Sequence, residues 1–188
     1  MAGIRVIAGK AKGRKLQMVP GGGGRPIGDR VKESLFNIIG AEIRGARFLD
    51  LFAGTGSVGI EALSRGAERV VFIDENRKAI ETVRENLEHT GLQEEAAVDQ
   101  RDAFQFLRHQ PLMDPFDYVF VAPPQYKGMW IKGVRAVDDN LAWLNPDAWV
   151  IAQIDPDEYE EMELDSLVEF DKRQYGNTLL VFYEWPGI

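Results

Sequence analysis

Cysteine is absent from the 188-residue sequence, which removes disulfides, thiolate metal sites and a cysteine nucleophile together and fits a reducing compartment. Histidine is scarce too. His89 and His109 stand far apart on what read as polar helix ends, so both are expected to face solvent and no metal site is expected. No stretch approaches the ~20 apolar residues that a membrane span needs. The amino terminus lacks a signal-peptide apolar core, and serine does not occur before Ser34, unlike an organellar transit peptide. The expected setting is the cytoplasm, with no membrane contact. Basic residues thin out beyond residue 32. Residues 1–32 hold Arg5, Lys10, Lys12, Arg14, Lys15, Arg25, Arg30 and Lys32 against one acid, Asp29, a net +7; the remainder carries −15, and the whole −8. A basic arm on an acidic body suits a polyanion contact. A solvated hairpin without a partner is the alternative.

The length suits one covered core, burying roughly 70% of the unfolded surface. It is organised around Arg47-Phe48-Leu49-Asp50-Leu51-Phe52-Ala53-Gly54-Thr55-Gly56-Ser57-Val58-Gly59. An apolar run ends in an acid, passes a glycine turn and resumes with Val58, Ala62 and Leu63 on one helix face. That predicts a strand, a tight loop and a helix whose free amides point at a ligand. Gly54, Gly56 and Gly59 match the dinucleotide fingerprint, with Asp74 at the end of the next strand as its ribose acid. Asp50 argues differently. A carboxylate just before the turn would repel a pyrophosphate and attract an amino group and a sulfonium, so S-adenosylmethionine is favoured over NAD.

In chain order, Ile4–Ala8 and Arg14–Met18 read as a hairpin around Gly9 and Gly13, and Pro20–Gly24 as a connector. Asp29 is expected to cap a helix with the stripe Val31, Leu35, Phe36, Ile38 and Ile39, ended by Gly40, with Arg30, Lys32 and Glu33 on its polar face. Arg69–Asp74 reads as a buried strand and Asn76–Thr90 as a helix ended by Gly91. Ala96–Gln100 is a strand, Asp102 caps a short helix, and Phe116–Val121 is a strand running into Ala122-Pro123-Pro124-Gln125-Tyr126. A mixed stretch, 127–144, precedes the strand Ala148–Ile154 and a closing pair, 167–173 and 178–183. Alternating strands and helices imply an α/β, Rossmann-like, mostly parallel sheet with an antiparallel edge. The expected division is a basic extension of hairpin, glycine loop and helix over residues 1–40, and a cofactor-binding domain over 41–188.

Ligands of such sheets lie beyond the carboxyl ends of the strands, near the switch in strand order. Asp50, Asp74 and Asp102 end successive strands and should border one crevice. Asp50 is assigned to the amino acid part of the cofactor, through backbone or water. Asp74 is assigned to the ribose diol and Asp102 to the adenine amine, with helix capping as the alternative for each acid. Phe52, Ala53, Gly54, Gly56, Glu75 and Ala103 complete the cofactor set.

Several segments resemble a known family. Ile4–Lys10, Gly13–Leu16, Arg25-Pro26, Asp29–Asn37 and Leu49–Gly56 are similar, in order and spacing, to the bacterial 16S ribosomal RNA guanine-N2 methyltransferases. The likeness extends along nearly the whole chain. The resemblance implies a class I methyltransferase fold with a basic amino-terminal extension, S-adenosylmethionine as donor, and ribosomal RNA of the small subunit or its precursor as acceptor, with a monomer expected. Arg5, Lys10, Lys12, Arg14, Lys15, Arg25 and Arg30 would contact the RNA.

One departure touches the chemistry. The family carries Asp or Asn before Pro-Pro-Tyr/Phe after its fourth strand, and here Ala122 precedes Pro123-Pro124-Gln125, with Tyr126 one place late. An exocyclic base amine is a poor nucleophile because its lone pair is delocalised into the ring. Acceptors must hold its N–H bonds so that the lone pair points at the methyl group. The Pro123 carbonyl remains, the Ala122 methyl accepts nothing, and Gln125 is the expected replacement. Tyr126 or Trp130 would stack on a base taken out of its stack. The catalytic set is therefore Pro123, Pro124, Gln125 and Tyr126. Besides this enzyme, two readings stay open: a ribosome-assembly RNA-binding protein weakened in catalysis, and an NAD-dependent oxidoreductase.

Overall fold

Strands that are apolar at nearly every position need cover on both faces, and the chain supplies it by alternating strands with helices. The computed structural model describes residues 3–22, 26–125 and 128–187. The elements run β1 (Ile4–Arg5), β2 (Lys15–Leu16), α1 (Asp29–Ile39), β3 (Arg47–Asp50), α2 (Ser57–Ser64), β4 (Arg69–Asp74), α3 (Arg77–Thr90), β5 (Ala96–Gln100), α4 (Ala103–Arg108), β6 (Phe116–Val121), α5 (Met129–Asp138), β7 (Leu144–Ile154), β8 (Val168–Tyr175) and β9 (Thr178–Glu184). The last seven strands form one sheet in the order β5-β4-β3-β6-β7-β9-β8. β3 to β7 pair in parallel, and β9 runs antiparallel between β7 and the edge strand β8. This is the expected Rossmann-like α/β architecture.

Successive side chains leave opposite faces of a strand, and two cores result. Phe48, Val70, Phe72, Tyr118 and Phe120 pack under α1, α2 and α3. Their neighbours Leu49, Val71, Ile73, Val119 and Val121 pack under α4 and α5. Ile4, Val6, Leu16, Val31, Leu35 and Phe36, from the amino-terminal segment, belong to the first core. The strand order reverses at β3: the chain moves outward through β4 and β5, then returns to place β6 on the other side of β3. None of the described helices is long and apolar enough to cross a membrane.

Five expectations need correction. The ladder of the hairpin is only two residues long on each strand, because Ile7 and Ala8 turn their amides to the Glu61 carboxylate and Gln17 turns its amide to Asn86 Oδ1. Asp29 does not cap α1. Gly28 takes the cap position, and Asp29 sits in the first turn, bonded to Arg5 Nε at 3.1 Å. Lys32 is not on a polar face but fully buried. α5 occupies part of the stretch left unassigned, with Trp130, Val134 and Val137 buried on one face; a Cβ at Gly133 would lie 2.8 Å from Val121 Cγ1, so glycine is what lets this helix close on β6. β7 also starts four residues before Ala148, through an irregularity in its pairing with β6 and a positive φ at Asp147.

Candidate functional site

The glycine loop joins β3 to α2 at the reversal in strand order. Gly54 has φ +56°, and nothing lies within 4 Å of where its Cβ would be, so bare backbone faces open space. Gly56, with φ +81°, packs on Val83 and Ile60. Gly59 is required for another reason: a Cβ there would lie 2.3 Å from the Phe72 ring, so α2 sits directly on β4. The loop is pinned by the Ala53 amide bonding the Ile73 carbonyl at 2.9 Å.

The three acids stand at the carboxyl ends of neighbouring parallel strands, Asp50 ending β3, Asp74 ending β4 and Asp102 two residues past β5, and the Asp74 charge acts on Asp50. Asp74 is partly exposed, unlike the buried Asp50. Its Oδ2 accepts from the Gly54 amide and its Oδ1 from the Asn76 amide, both at 2.9 Å, which holds the carboxylate against the loop while leaving lone pairs free. Asn76, not Asp74, caps α3. Asp102 caps α4 through the Phe104 and Gln105 amides. Glu75 is exposed, and Phe52 lies edge-on to Phe104 at 6.2 Å. Ala53 and Ala103 are buried.

Asp50 is 1% exposed, tucked beneath α2 with Oδ2 accepting from the Gly59 amide at 3.1 Å. Burial pushes its pKa up to about 8; the Gly59 hydrogen bond opposes this and the nearby Asp74 charge adds to it. The unfolded carboxyl titrates near 4, so between about pH 4 and 8 the folded chain holds a proton that the unfolded one has lost. Stability contributed at low pH is therefore lost as pH rises through that window. Asp50→Asn should remove this loss, a difference on the order of 2–5 kcal/mol between the two ends. Melting temperature against pH reads it, and parallel profiles for the two proteins would contradict the assignment.

Across the reversal, Asp50 and Phe120 are register partners, so the segments leaving β3 and β6 emerge side by side. Ala122 packs half-buried against the first core, Pro123 is half-buried, and Pro124 and Gln125 are exposed. Tyr126 lies outside the described residues. Trp130 is not available to stack on a base: it is 1% exposed, lies against the Tyr159 ring at 6.2 Å and donates from Nε1 to the Glu158 carbonyl. Among the described residues, one acidic group could gather on a cation, Asp138, Asp139 and Asp165. Asp138, however, uses both oxygens on the amides of Asp165, Ser166 and Leu167.

Lys10, Lys12, Arg14, Lys15 and Arg30 are exposed, and the Arg5 side chain is largely so despite its pairing with Asp29. Arg25 lies outside the described residues. His89 and His109 are exposed. Sequence reasoning missed what lies under this arm. Glu61, fully buried on α2, accepts from the Ile7 and Ala8 amides, pairs with Arg65 at 2.8 Å and lies 3.5 Å from Lys32 Nζ. Burial pulls the Lys32 ammonium below its usual pKa, with Glu61 and then Asp29 opposing. The readable signal was position: residues 32, 35, 36 and 39 follow the spacing of one helix face.

Comparison with known proteins follows the same outline. Residues 4–184 match the family described as conserved hypothetical protein 95. YlbH of Bacillus subtilis, a candidate rRNA methyltransferase, is 40% identical over 185 residues, 98% of this chain and all of that one. The ribosomal RNA small subunit methyltransferase D of Haemophilus influenzae is 36% identical over 155 residues, covering 82% of this chain and 80% of its own. The solved structure of yhhF, a candidate methyltransferase of Escherichia coli, has a TM-score of 0.85 at 30% identity, over 98% of both chains.

Proposed function

The chain belongs to the family described as conserved hypothetical protein 95, and from that premise we propose that it methylates the exocyclic N2 of a guanine in the 16S ribosomal RNA of the small subunit or its precursor. The coarse activity, methyl transfer from S-adenosylmethionine to ribosomal RNA, follows from the chain's likeness to the ribosomal RNA small subunit methyltransferases D of Haemophilus influenzae and Escherichia coli; the base and atom are the finer reading. The observation that carries it is the junction at the reversal in strand order, where the glycine loop, Asp74 and the Ala122–Gln125 segment leave neighbouring parallel strands.

The residues fit the donor. Gly54 offers open backbone, Asp74 keeps lone pairs for a diol, and a cation beside the buried Asp50 would favour the ionised form that burial disfavours. When bound, S-adenosylmethionine supplies a methyl group on a sulfonium. This chain's part is positioning. The Pro123 carbonyl and the Gln125 side-chain oxygen would accept the two N–H bonds of the guanine amine, draw its lone pair out of the ring and exclude water from it. The proton displaced on methylation leaves to solvent. Arg5, Lys10, Lys12, Arg14, Lys15 and Arg30 would hold RNA phosphates, a contact that weakens with salt.

Asp74→Ala should weaken binding of S-adenosylmethionine by roughly 1.5–3 kcal/mol, the range for hydrogen bonds to a charged group. Calorimetric titration of the folded variant reads it; unchanged affinity would mean that the crevice is elsewhere. The same titration of the wild type with NAD tests the oxidoreductase reading, which predicts binding of NAD and none of S-adenosylmethionine. One observation favours a second reading: the Ala122 methyl group accepts no hydrogen bond, as expected of an RNA-binding protein of this family weakened in catalysis.

A further inference from the structure

Two buried polar side chains join the basic hairpin to the glycine loop, one from each of its strands. Lys32 on α1 donates from Nζ to the Arg5 carbonyl in β1 and, at 2.8 Å, to Ser57 Oγ where α2 begins. Asn86 on α3 accepts from the Gln17 amide at 2.8 Å, just beyond β2, and its Nδ2 donates to the Gln17 carbonyl at 3.1 Å and to the Thr55 carbonyl at 2.9 Å. Both side chains are fully buried. Thr55 and Ser57 flank Gly56, and the Ser57 amide donates to Thr55 Oγ1 at 3.2 Å. The bridges come from different helices and use different chemistry, yet they meet within three residues of the loop. Cut off from water, a broken bond here leaves a buried polar group without a partner, so the two ends move together or at a cost.

We propose that Lys32 and Asn86 are positioning residues that couple the hairpin to the glycine loop, so that ribosomal RNA on the hairpin and cofactor in the crevice strengthen each other's binding. The identities of the two ligands rest on the proposed function. Arg14 and Lys15 immediately precede Leu16 and Gln17, so phosphates held by these side chains fix the backbone that Asn86 grips, and Arg5 does the same for the backbone that Lys32 grips. A ligand lying on the loop backbone fixes the other end. Coupling of this kind is reciprocal: each ligand tightens the other by the same factor.

The test measures the Kd of S-adenosylhomocysteine with and without saturating unmodified small ribosomal subunits, for wild type, Asn86→Ala and Asn86→Asp. The wild type should show a ratio of roughly 5–150-fold, and S-adenosylhomocysteine should tighten subunit binding by the same factor. In Asn86→Ala the ratio should fall toward one. If that variant fails to fold, Asn86→Asp supplies the ratio, since it keeps an acceptor for the Gln17 amide and loses the donor to Thr55. A merely structural role would lower the melting temperature and leave the ratio at its wild-type value, which overturns the proposal, as does a wild-type ratio of one with both ligands bound. Failure of either ligand to bind alone is a different result: it removes the proposed function and this inference with it.

Discussion

Glu61→Ala is expected to destabilise the protein by about 3–5 kcal/mol, the loss typical of removing one partner from a buried ion pair. Glu61 is fully buried, and its two oxygens serve the Ile7 and Ala8 amides, the Arg65 guanidinium and, at 3.5 Å, the Lys32 ammonium. Alanine would leave two backbone amides without acceptors and two cations facing each other across a site from which water is excluded. The Coulomb gain of the pair is not the source of the effect, because desolvation offsets much of it; the orphaned groups are. Glu61→Gln, which keeps an acceptor but not the charge, should cost less. Urea midpoints of the three proteins read the difference, and a loss below about 1 kcal/mol for alanine would mean that the arm is held by its apolar contacts alone.

The largest effect on catalysis is expected at Gln125. On the proposed function, with Ala122 in the place of the family's acid or amide, the Pro123 carbonyl and the Gln125 side chain would share the guanine amine, so Gln125→Ala should lower turnover by about 10²-fold, the scale for one well-placed group at a reacting centre, with cofactor affinity nearly unchanged. Gln125 is exposed and Ala122 half-buried, so Ala122→Asp tests the converse: restoring the side-chain acceptor should raise the single-turnover rate. An active wild type indifferent to Gln125→Ala would refute the role assigned to that residue and leave the methyltransferase reading standing.

Strands β4, β5 and β6 were legible to the residue because they are continuous apolar or β-prone runs bounded by charge, and Gly91 and Asp102 ended and began helices where local backbone chemistry required it. The placing of Asp50, Asp74 and Asp102 at the carboxyl ends of neighbouring strands was legible because alternating elements dictate parallel strands. What local pattern could not convey was where side chains go once distant segments meet. Lys32 looked solvated because lysine usually is; only α2, buried on all sides with Glu61 at its centre, makes its burial tolerable. The hairpin ladder looked longer because nothing in Ile7, Ala8 or Gln17 announces that a carboxylate and an amide 50 to 70 residues away take their amides. Trp130 illustrates the same limit: an aromatic near a catalytic motif proved to be core.

The proposed function stands or falls on methyl transfer to N2 of a guanine in small-subunit ribosomal RNA. Unmodified small subunits incubated with this protein and S-adenosylmethionine, digested to nucleosides and analysed by mass spectrometry, test it most directly. N2-methylguanosine is expected, and none of it when either the protein or the donor is omitted; a wild-type protein that binds both ligands and yields no N2-methylguanosine would refute methyl transfer to that atom.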